Sequence, residues 1–414
     1  MTQFYEQVKE RMIRYAEIDT QSDSHSQKTP TTRKQFDLAV MLEKELNDIG
    51  AAEVYLDRDA CVVYACLPAN VAADSFGLIA HMDTAPDAPG ANVKPWVLEH
   101  YDGKDIVLNA EKQIVMSPED FPNLKHYIGQ DLILTDGTTL LGGDDKASIA
   151  AIMTMAEYLI AHPEIPHGRI ALAFTPDEEV GGLAKDLDFV RFGVPVAYTL
   201  DGDHLGWYMD ETFNASQAVI TIKGRSVHTG TAKGIMINAA ELAMEFVHAL
   251  PAEQKPQYTE GREGFFHVIS VHADCEYAKI ELLIRDHDAL RFKEREDMVL
   301  SIGSWLNRHY PGAVEVKIEE QYRSMKEVVD KVPWMITRLV KAIEACGIQP
   351  VQEAFRGGTD GSALSHRGLP CPNLSAGYEN AHGRFEYVPI QSMEKNVEIL
   401  LKLAEIYAGG NPCR

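Results

Sequence analysis

Short apolar runs alternate with amphipathic segments along the first half of the chain. Apolar side chains recur every three or four residues in segments that predict helices. These helices are 4–16, a helix that follows the capping-box spacing Thr32-x-x-Gln35 and ends at Gly50, and about 142–161. The apolar runs that predict buried strands are about 53–57, 61–67, 76–80, 169–174 and 196–200. The alternation predicts an α/β fold in which helices cover both faces of a mixed sheet.

The pattern changes after about residue 212, where apolar and polar residues alternate as in half-exposed strands. The expected strands are 218–223, 266–271, 279–284 and 314–319, with helices at about 237–249 and 288–308. This β-α-β-β-α-β order is that of a ferredoxin-like α+β domain. Longer helices resume at 333–346 and 390–407. We therefore predict a discontinuous domain, 1–211 and 323–414, interrupted by a smaller domain, 212–322.

Composition narrows the class of protein. A chain of 414 residues exceeds the usual size of one core, which agrees with two domains. The net charge of −23 argues against nucleic acid as a partner, because phosphate binding needs clustered Lys and Arg. The chain has neither a signal-peptide pattern nor an apolar run long enough for a membrane span. Its six cysteines, including Cys413, form no C-x-x-C pair, so we expect reduced thiols and a cytoplasmic location.

Polar side chains follow several of the predicted strands of the α/β part. They lie at 81–83, 144–145, 177–179 and 201. Ligands in open α/β sheets bind outside the carboxyl ends of the strands, so we expect these side chains at one rim. Taken alone, each segment also has a simpler structural interpretation. His-x-acid occurs four times in the chain, Asp144 could be a helix N-cap, Asp201 a plain turn, and His382 a surface imidazole.

Taken together, the candidate ligands contain only nitrogen and oxygen donors. They are His81, Asp144, Glu179, Asp201 and His382. Such a mixed set suits zinc, or cobalt and manganese in its place. Five ligands are too many for one catalytic zinc with an open position, but they suit two metals that share one carboxylate. Asp83 and Glu178 are then free to orient a ligand and to transfer a proton.

Several short motifs resemble the co-catalytic dizinc M20 metallopeptidase family. They are His81-x-Asp-Thr84, Gly143-Asp-Asp-Lys146, Asp177-Glu-Glu-Val-Gly181, Thr199-x-Asp-Gly202 and His382-Gly383. Further segments resemble the tripeptide aminopeptidases of that family in particular. These are Thr175–Val180, Gly230–Gly234, Arg285-Asp286, Arg356–Gly361 and Gly368–Leu374. The similarity spans nearly the whole chain.

The resemblance implies a role for each candidate residue of the larger domain. Asp144 would bridge two zinc ions, for which cobalt or manganese could substitute. One ion would also bind His81 and Asp201, and the other would bind Glu179 and His382. Asp83 would hold the ring of His81, and Glu178 would be the general base.

The resemblance also implies that the insert is a lid and dimerisation domain. His228 would stabilise the oxyanion, in related enzymes at the partner's active site. Arg285, Arg356 and Asn380 would be candidates for binding the substrate's terminal carboxylate. The expected protein is a homodimeric aminopeptidase that removes the N-terminal residue of tripeptides.

Two other functions stay open at this point. The same dimetal scaffold could cleave another amide, as a dipeptidase or an N-acyl amino acid hydrolase. A metal-binding scaffold without catalysis is the second alternative, although every ligand and Glu178 are present. The chain also departs from the family's pattern at Gly143, Ser148 and Thr229, and at Asp203 with His204. The last two add titratable groups close to a metal ligand, where they could alter the metal preference or the substrate fit without changing the reaction class.

Overall fold

The computed structural model describes residues 3–182 and 184–409, so Cys413 lies outside the described residues. In chain order the helices are α1 Tyr5–Ala16, α2 Gln35–Ile49, α3 Gly143–Ala161, α4 Phe189–Phe192, α5 Ala239–His248, α6 Ala289–His309, α7 Lys326–Val329, α8 Trp334–Ala345, α9 Asp360–His366 and α10 Ile390–Ala408. The strands are β1 Ala52–Asp57, β2 Val62–Leu67, β3 Phe76–His81, β4 Trp96–Leu98, β5 Ile106–Asn109, β6 Ile114–Met116, β7 Leu132–Leu134, β8 Ile170–Thr175, β9 Ala197–Leu200, β10 Trp207–Thr212, β11 Asn214–Lys223, β12 Phe265–Ala273, β13 Tyr277–Asp286, β14 Val314–Tyr322, β15 Val351–Phe355, β16 Asn373–Leu374 and β17 Val388–Pro389.

The described chain divides into two compact units. The smaller unit comprises Glu211–Lys326 and Ala354–Gly358, and the larger unit comprises the other described residues. The sequence placed 354–358 in the larger domain instead. This short segment joins the smaller unit because the guanidinium of Arg356 donates to the carbonyl oxygens of Gly261 and Glu263 there.

An eight-stranded mixed sheet organises the larger unit, as the sequence predicted. Its strand order is β1-β2-β8-β3-β9-β16-β10-β15. Strand β3 is parallel to both β8 and β9, whereas β1 and β2 are antiparallel to their neighbours. Because side chains alternate across a strand, β3 sends Leu78 and Ala80 into one core and Ile79 into another. Helices α1, α2, α3, α8 and α10 cover the first face, and α4 and α9 cover the second.

Helix α3 is buried around its whole circumference near its start, where the sequence predicted a single apolar face. Every residue from Gly143 to Ala156 is buried. The reason is that α3 lies between α1, α10 and strand β3 instead of on the surface. As a result, the polar residues at its first turn are held inside the protein.

The smaller unit has the predicted β-α-β-β-α-β order. Its four-stranded antiparallel sheet has the strand order β12-β13-β11-β14, which is that of a ferredoxin-like sheet. Helices α5 and α6 pack on the face that carries Ile220, Ile280 and Leu282. Among the described residues, no helix combines the length and the apolar composition that a membrane span needs.

Candidate metal centre and active site

Three parallel strands deliver polar side chains to the same edge of the sheet. Strand β3 ends at His81, and β9 ends just before Asp201. Strand β8 ends at Thr175 and is followed by a 3-10 turn, Glu178–Val180, which carries Glu179. The buried start of α3 adds Asp144. The structure thus brings together the side chains that the sequence placed at one rim.

The candidate ligands form two groups that share one residue. In the first group, donor atoms of His81, Asp144 and Asp201 lie within 4.8 Å of one another. In the second, donor atoms of Asp144, Glu179 and His382 do the same. Asp144 Oδ1 lies 3.0 Å from His81 Nε2, and Asp144 Oδ2 lies 3.2 Å from His382 Nε2. Each oxygen of Asp144 therefore faces a different imidazole, as expected of a bridging carboxylate.

The electrostatics of this cluster fit bound cations. Burial and the charge of Asp144 raise the pKa of Glu179 to about 8, and the same two causes raise the pKa of Asp201. Glu179 Oε2 lies 2.9 Å from His382 Nε2, but its buried Oε1 has no hydrogen-bond partner within the described residues. The carboxylates of Asp144, Glu179 and Asp201 converge here, and neither ligand group contains a lysine or arginine that could balance their negative charge. A pair of divalent ions would supply the positive charge that this donor set lacks.

Asp83 holds both the ring of His81 and the acidic turn that follows β8. Its Oδ1 accepts a hydrogen bond from the Glu178 N–H at 2.9 Å, and its Oδ2 accepts one from the Glu179 N–H at 3.2 Å. His81 Nδ1 lies 3.4 Å from this same Oδ1 and 3.1 Å from the backbone carbonyl oxygen of Asp83. The sequence reasoning had assigned Asp83 only to the ring.

Glu178 has the environment of a proton-transfer group. Burial raises its pKa well above the ordinary value, and the negative charges of Asp201, Asp360 and Glu179 act in the same direction against the opposing effect of His81. Within the described residues its carboxylate accepts no hydrogen bond. A carboxyl group with a raised pKa can both accept and return a proton near neutral pH.

Asp177, to which no role could be assigned from the sequence, holds the acidic turn in position. It accepts hydrogen bonds from the Thr31 N–H and hydroxyl, and from Gln35 Nε2 at 2.6 Å. The predicted capping box at Thr32 and Gln35 is therefore wrong. The N-cap residue of α2 is Lys34, and the side chain of Gln35 donates its hydrogen bond to Asp177 instead of capping the helix.

Asp203 and His204, the departures from the family pattern, lie in a polar network that the sequence did not reveal. Glu379 is its centre: His204 Nδ1 lies 2.8 Å from this carboxylate, which also accepts from Asn123 Nδ2 at 2.7 Å and from the Tyr127 hydroxyl. The hydrogen bond to Glu379 raises the pKa of His204. Burial and the charge of Glu379 raise the pKa of Asp203 to about 6.

The substrate-binding candidates already have hydrogen-bond partners. In the larger unit, Asn380 donates to the Phe385 carbonyl oxygen and accepts from Asn123. In the smaller unit, Arg285 donates to the Ser216 carbonyl oxygen and to Gln321. Burial lowers the pKa of Arg285.

The other two candidates are also in the smaller unit. Arg356 lies over the rings of Phe213 and Phe265 and bonds to the chain near residue 260. His228 is exposed, and its Nδ1 accepts from the Gly230 N–H at 3.2 Å. Its Nε2 makes no hydrogen bond with the described residues.

Comparison with known proteins identifies the family. The family model described as a peptidase dimerisation domain matches residues 211–314. Peptidase T of Clostridium botulinum (strain Hall) is 48% identical over 404 residues, covering 97% of this chain and 99% of the relative. Peptidase T of Alkaliphilus oremlandii is 46% identical, covering 96% and 98%.

Solved structures agree in fold. Aminopeptidase PepT from Bacillus cereus and a tripeptidase from Staphylococcus aureus each superpose with a TM-score of 0.77 at 22% identity, covering 98% of this chain and 99% of the other. A dinuclear metal-binding M20 peptidase from Bacillus subtilis superposes with a TM-score of 0.67. Because it is 46–48% identical to these peptidase T relatives along nearly its whole length, the chain belongs to the peptidase T family of M20 peptidases.

Proposed function

We propose that the protein is a metal-dependent aminopeptidase that removes the N-terminal residue from tripeptides. The observation that carries this proposal is the pair of ligand groups that share Asp144, with Glu178 next to the ligand Glu179. The names of the relatives, peptidase T and tripeptidase, support the substrate class.

Two divalent cations would be held by the two ligand groups. His81 and Asp201 would hold one, Glu179 and His382 the other, and Asp144 both. We propose zinc, with cobalt or manganese as substitutes, because the donors are imidazole nitrogens and carboxylate oxygens. When bound, such ions lower the pKa of a water molecule and polarise the carbonyl group of the substrate.

Glu178 would move the proton in this reaction. It accepts a proton from the attacking water while the water oxygen bonds to the scissile carbonyl carbon. It then gives that proton to the leaving amine as the carbon–nitrogen bond breaks. Asp83 keeps Glu178 in place through its backbone N–H, and the raised pKa of Glu178 suits both steps.

The remaining proposals concern the domains, the substrate-binding residues and the location of the protein. We propose a catalytic domain, 1–211 with 323–414, and a lid and dimerisation domain, 212–322, through which two copies associate. The match of 211–314 to a dimerisation domain supports the association.

His228 would stabilise the oxyanion, and Arg285, Arg356 or Asn380 would bind the substrate's carboxylate. The free thiols of Cys61, Cys66, Cys275, Cys346 and Cys371 support a cytoplasmic location.

The test compares Glu178→Gln with Glu179→Gln, two isosteric changes in one turn. Glu178→Gln should keep the metal content of the wild type and lower kcat on a Leu-Gly-Gly-type tripeptide by about 10²–10⁴-fold. Glu179→Gln should lower the metal content itself. Undiminished activity of Glu178→Gln would remove Glu178 from the mechanism. A wild-type enzyme that cleaved only dipeptides or acylated amino acids would contradict the substrate class, and an inactive metal-loaded wild type would indicate a scaffold.

A further inference from the structure

Glu386 is a buried carboxylate for which neither the sequence nor the proposed mechanism has a use. It is 2% exposed, and both of its oxygens accept backbone hydrogen bonds from the segment Leu141–Asp144, which leads into the first turn of α3. Its Oε2 accepts from the N–H groups of Leu141 at 2.8 Å and Gly142 at 2.7 Å. Its Oε1 accepts from the Asp144 N–H at 2.9 Å. One side chain therefore satisfies three N–H groups of the segment that carries the shared ligand.

This turn determines where the carboxylate of Asp144 points. Gly142 has a left-handed backbone, with φ of 78°, and Asp144 has non-helical dihedrals although it lies in the first turn of α3. A backbone of this kind is not held by helical hydrogen bonds, since the first N–H groups of a helix have no partner within it. Glu386 supplies that partner. The position of Asp144 thus depends on Glu386 as well as on its own helix.

Glu386 also lies in the loop that carries His382. Paired backbone hydrogen bonds between Glu379 and Tyr387 close this loop at its base. Within it, the Glu386 N–H donates to the Gly383 carbonyl oxygen. The side chain of His382 is 48% exposed, so little packing fixes the ring. The loop's attachment to the turn before α3 is therefore an important restraint on His382.

We propose that Glu386 is a positioning residue that sets the spacing between Asp144 and His382, and thereby the affinity of the second ligand group for its metal. The inference rests on the proposed function in that it assumes a metal in that group. If Glu386 only stabilised the fold, its loss would lower the unfolding temperature and leave the metal affinities of the folded protein unchanged.

The test is a titration of the metal-free protein with cobalt(II), followed by visible absorption. Glu386→Gln keeps the shape of the side chain but has one acceptor oxygen for three N–H groups. We expect one of the two cobalt-binding events to weaken by about 10–100-fold, as is usual for residues that orient ligands. Tripeptidase activity should fall at limiting metal and recover with excess metal.

Glu394→Gln is the matched control. Glu394 is 3% exposed in α10 and makes no hydrogen bond with the ligands or with the turn before α3. Its replacement should leave both binding events unchanged. Wild-type cobalt affinities in Glu386→Gln would overturn the inference.

Glu386→Asp serves if the glutamine variant does not fold, since it keeps the charge and shortens the side chain by one methylene. Wild-type affinities there would also overturn the inference. So would failure of both variants to fold while the control folds, because Glu386 would then act on stability alone. Absence of metal binding by the wild type would instead refute the proposed function.

Discussion

Replacing Gly143 with alanine tests the packing directly behind the shared ligand. A Cβ atom at this position would lie 2.5 Å from Val388 Cγ2 and 3.1 Å from Glu386 Oε1. Ordinary contacts of a Cβ atom are 3.4 Å or longer, so Val388 would have to move by about 1 Å. Overpacking of this kind costs about 1–3 kcal/mol. Because the unfolding entropy grows with chain length, 1 kcal/mol corresponds to about 1–2 °C in a unit of this size, so Gly143→Ala should lower the unfolding temperature by about 1–6 °C.

The assay is thermal unfolding of the metal-free protein by circular dichroism, with chelator present because bound metal would shift the midpoint. Val388→Ala is the matched partner. It deletes buried methyl groups and should cost about 1–3 kcal/mol alone. In the double variant the new methyl of residue 143 occupies the vacated space, so the combined loss should be smaller than the sum by about 1 kcal/mol. Wild-type unfolding of Gly143→Ala, or additive losses in the double variant, would refute this account.

Three further predictions concern the larger unit, and the third of them rests on the ion pair between Arg11 Nε and Glu45 Oε1 at 2.7 Å. Asp83→Asn should weaken cobalt(II) binding or activity by about 10–100-fold, because Asp83 accepts both N–H groups of the acidic turn; an unchanged titration would contradict this. Chelation should abolish activity and lower the unfolding temperature, since metal at 100 times its Kd stabilises by about 2.7 kcal/mol; equal midpoints with and without EDTA would count against a metal site. Arg11→Met should cost about 3 kcal/mol in urea unfolding, because it leaves the mostly buried Glu45 without its main cation. Although burial acts to raise the pKa of Glu45, Arg11 lowers it overall, so this stability is present above pH 4.5 and lost below it; the variant should show less loss on acidification, and an unchanged acid profile would be inconsistent with the pair.

The sequence predicted the central sheet because its strands are short apolar runs with clear boundaries. Strands β3, β8 and β9 are buried on both faces, and each ends where a His or carboxylate begins, so their shared edge could be inferred. The full burial of α3 could not, because it depends on which elements pack around the helix. The local spacing predicted a capping box that included Gln35, but in the fold the Gln35 side chain donates to Asp177, which is far away in the sequence.

The residues that support the candidate ligands were beyond sequence reasoning for a different reason. Glu386 bonds to backbone N–H groups some 240 residues earlier in the chain. Backbone N–H groups are alike for all residues except proline, so no pattern of side chains marks this partnership. The hydrogen-bond partners of the two arginines were hidden in the same way. Arg285 and Arg356 remain the predicted candidates for binding a carboxylate, and no sequence pattern indicated that their donors also reach carbonyl oxygens of their own unit.

The candidate ligands are spread so widely along the chain that the order of synthesis matters. His81 leaves the ribosome early, whereas His382 follows about 300 residues later, a delay of about 15–60 s at 5–20 residues per second. Strand β16, which pairs with β9 beside Asp201, is also made late. A growing chain therefore cannot complete the second ligand group until most of the protein has been translated. If both ligand groups are needed for hydrolysis, as proposed, an unfinished chain would lack peptidase activity until the loop that carries His382 has been made.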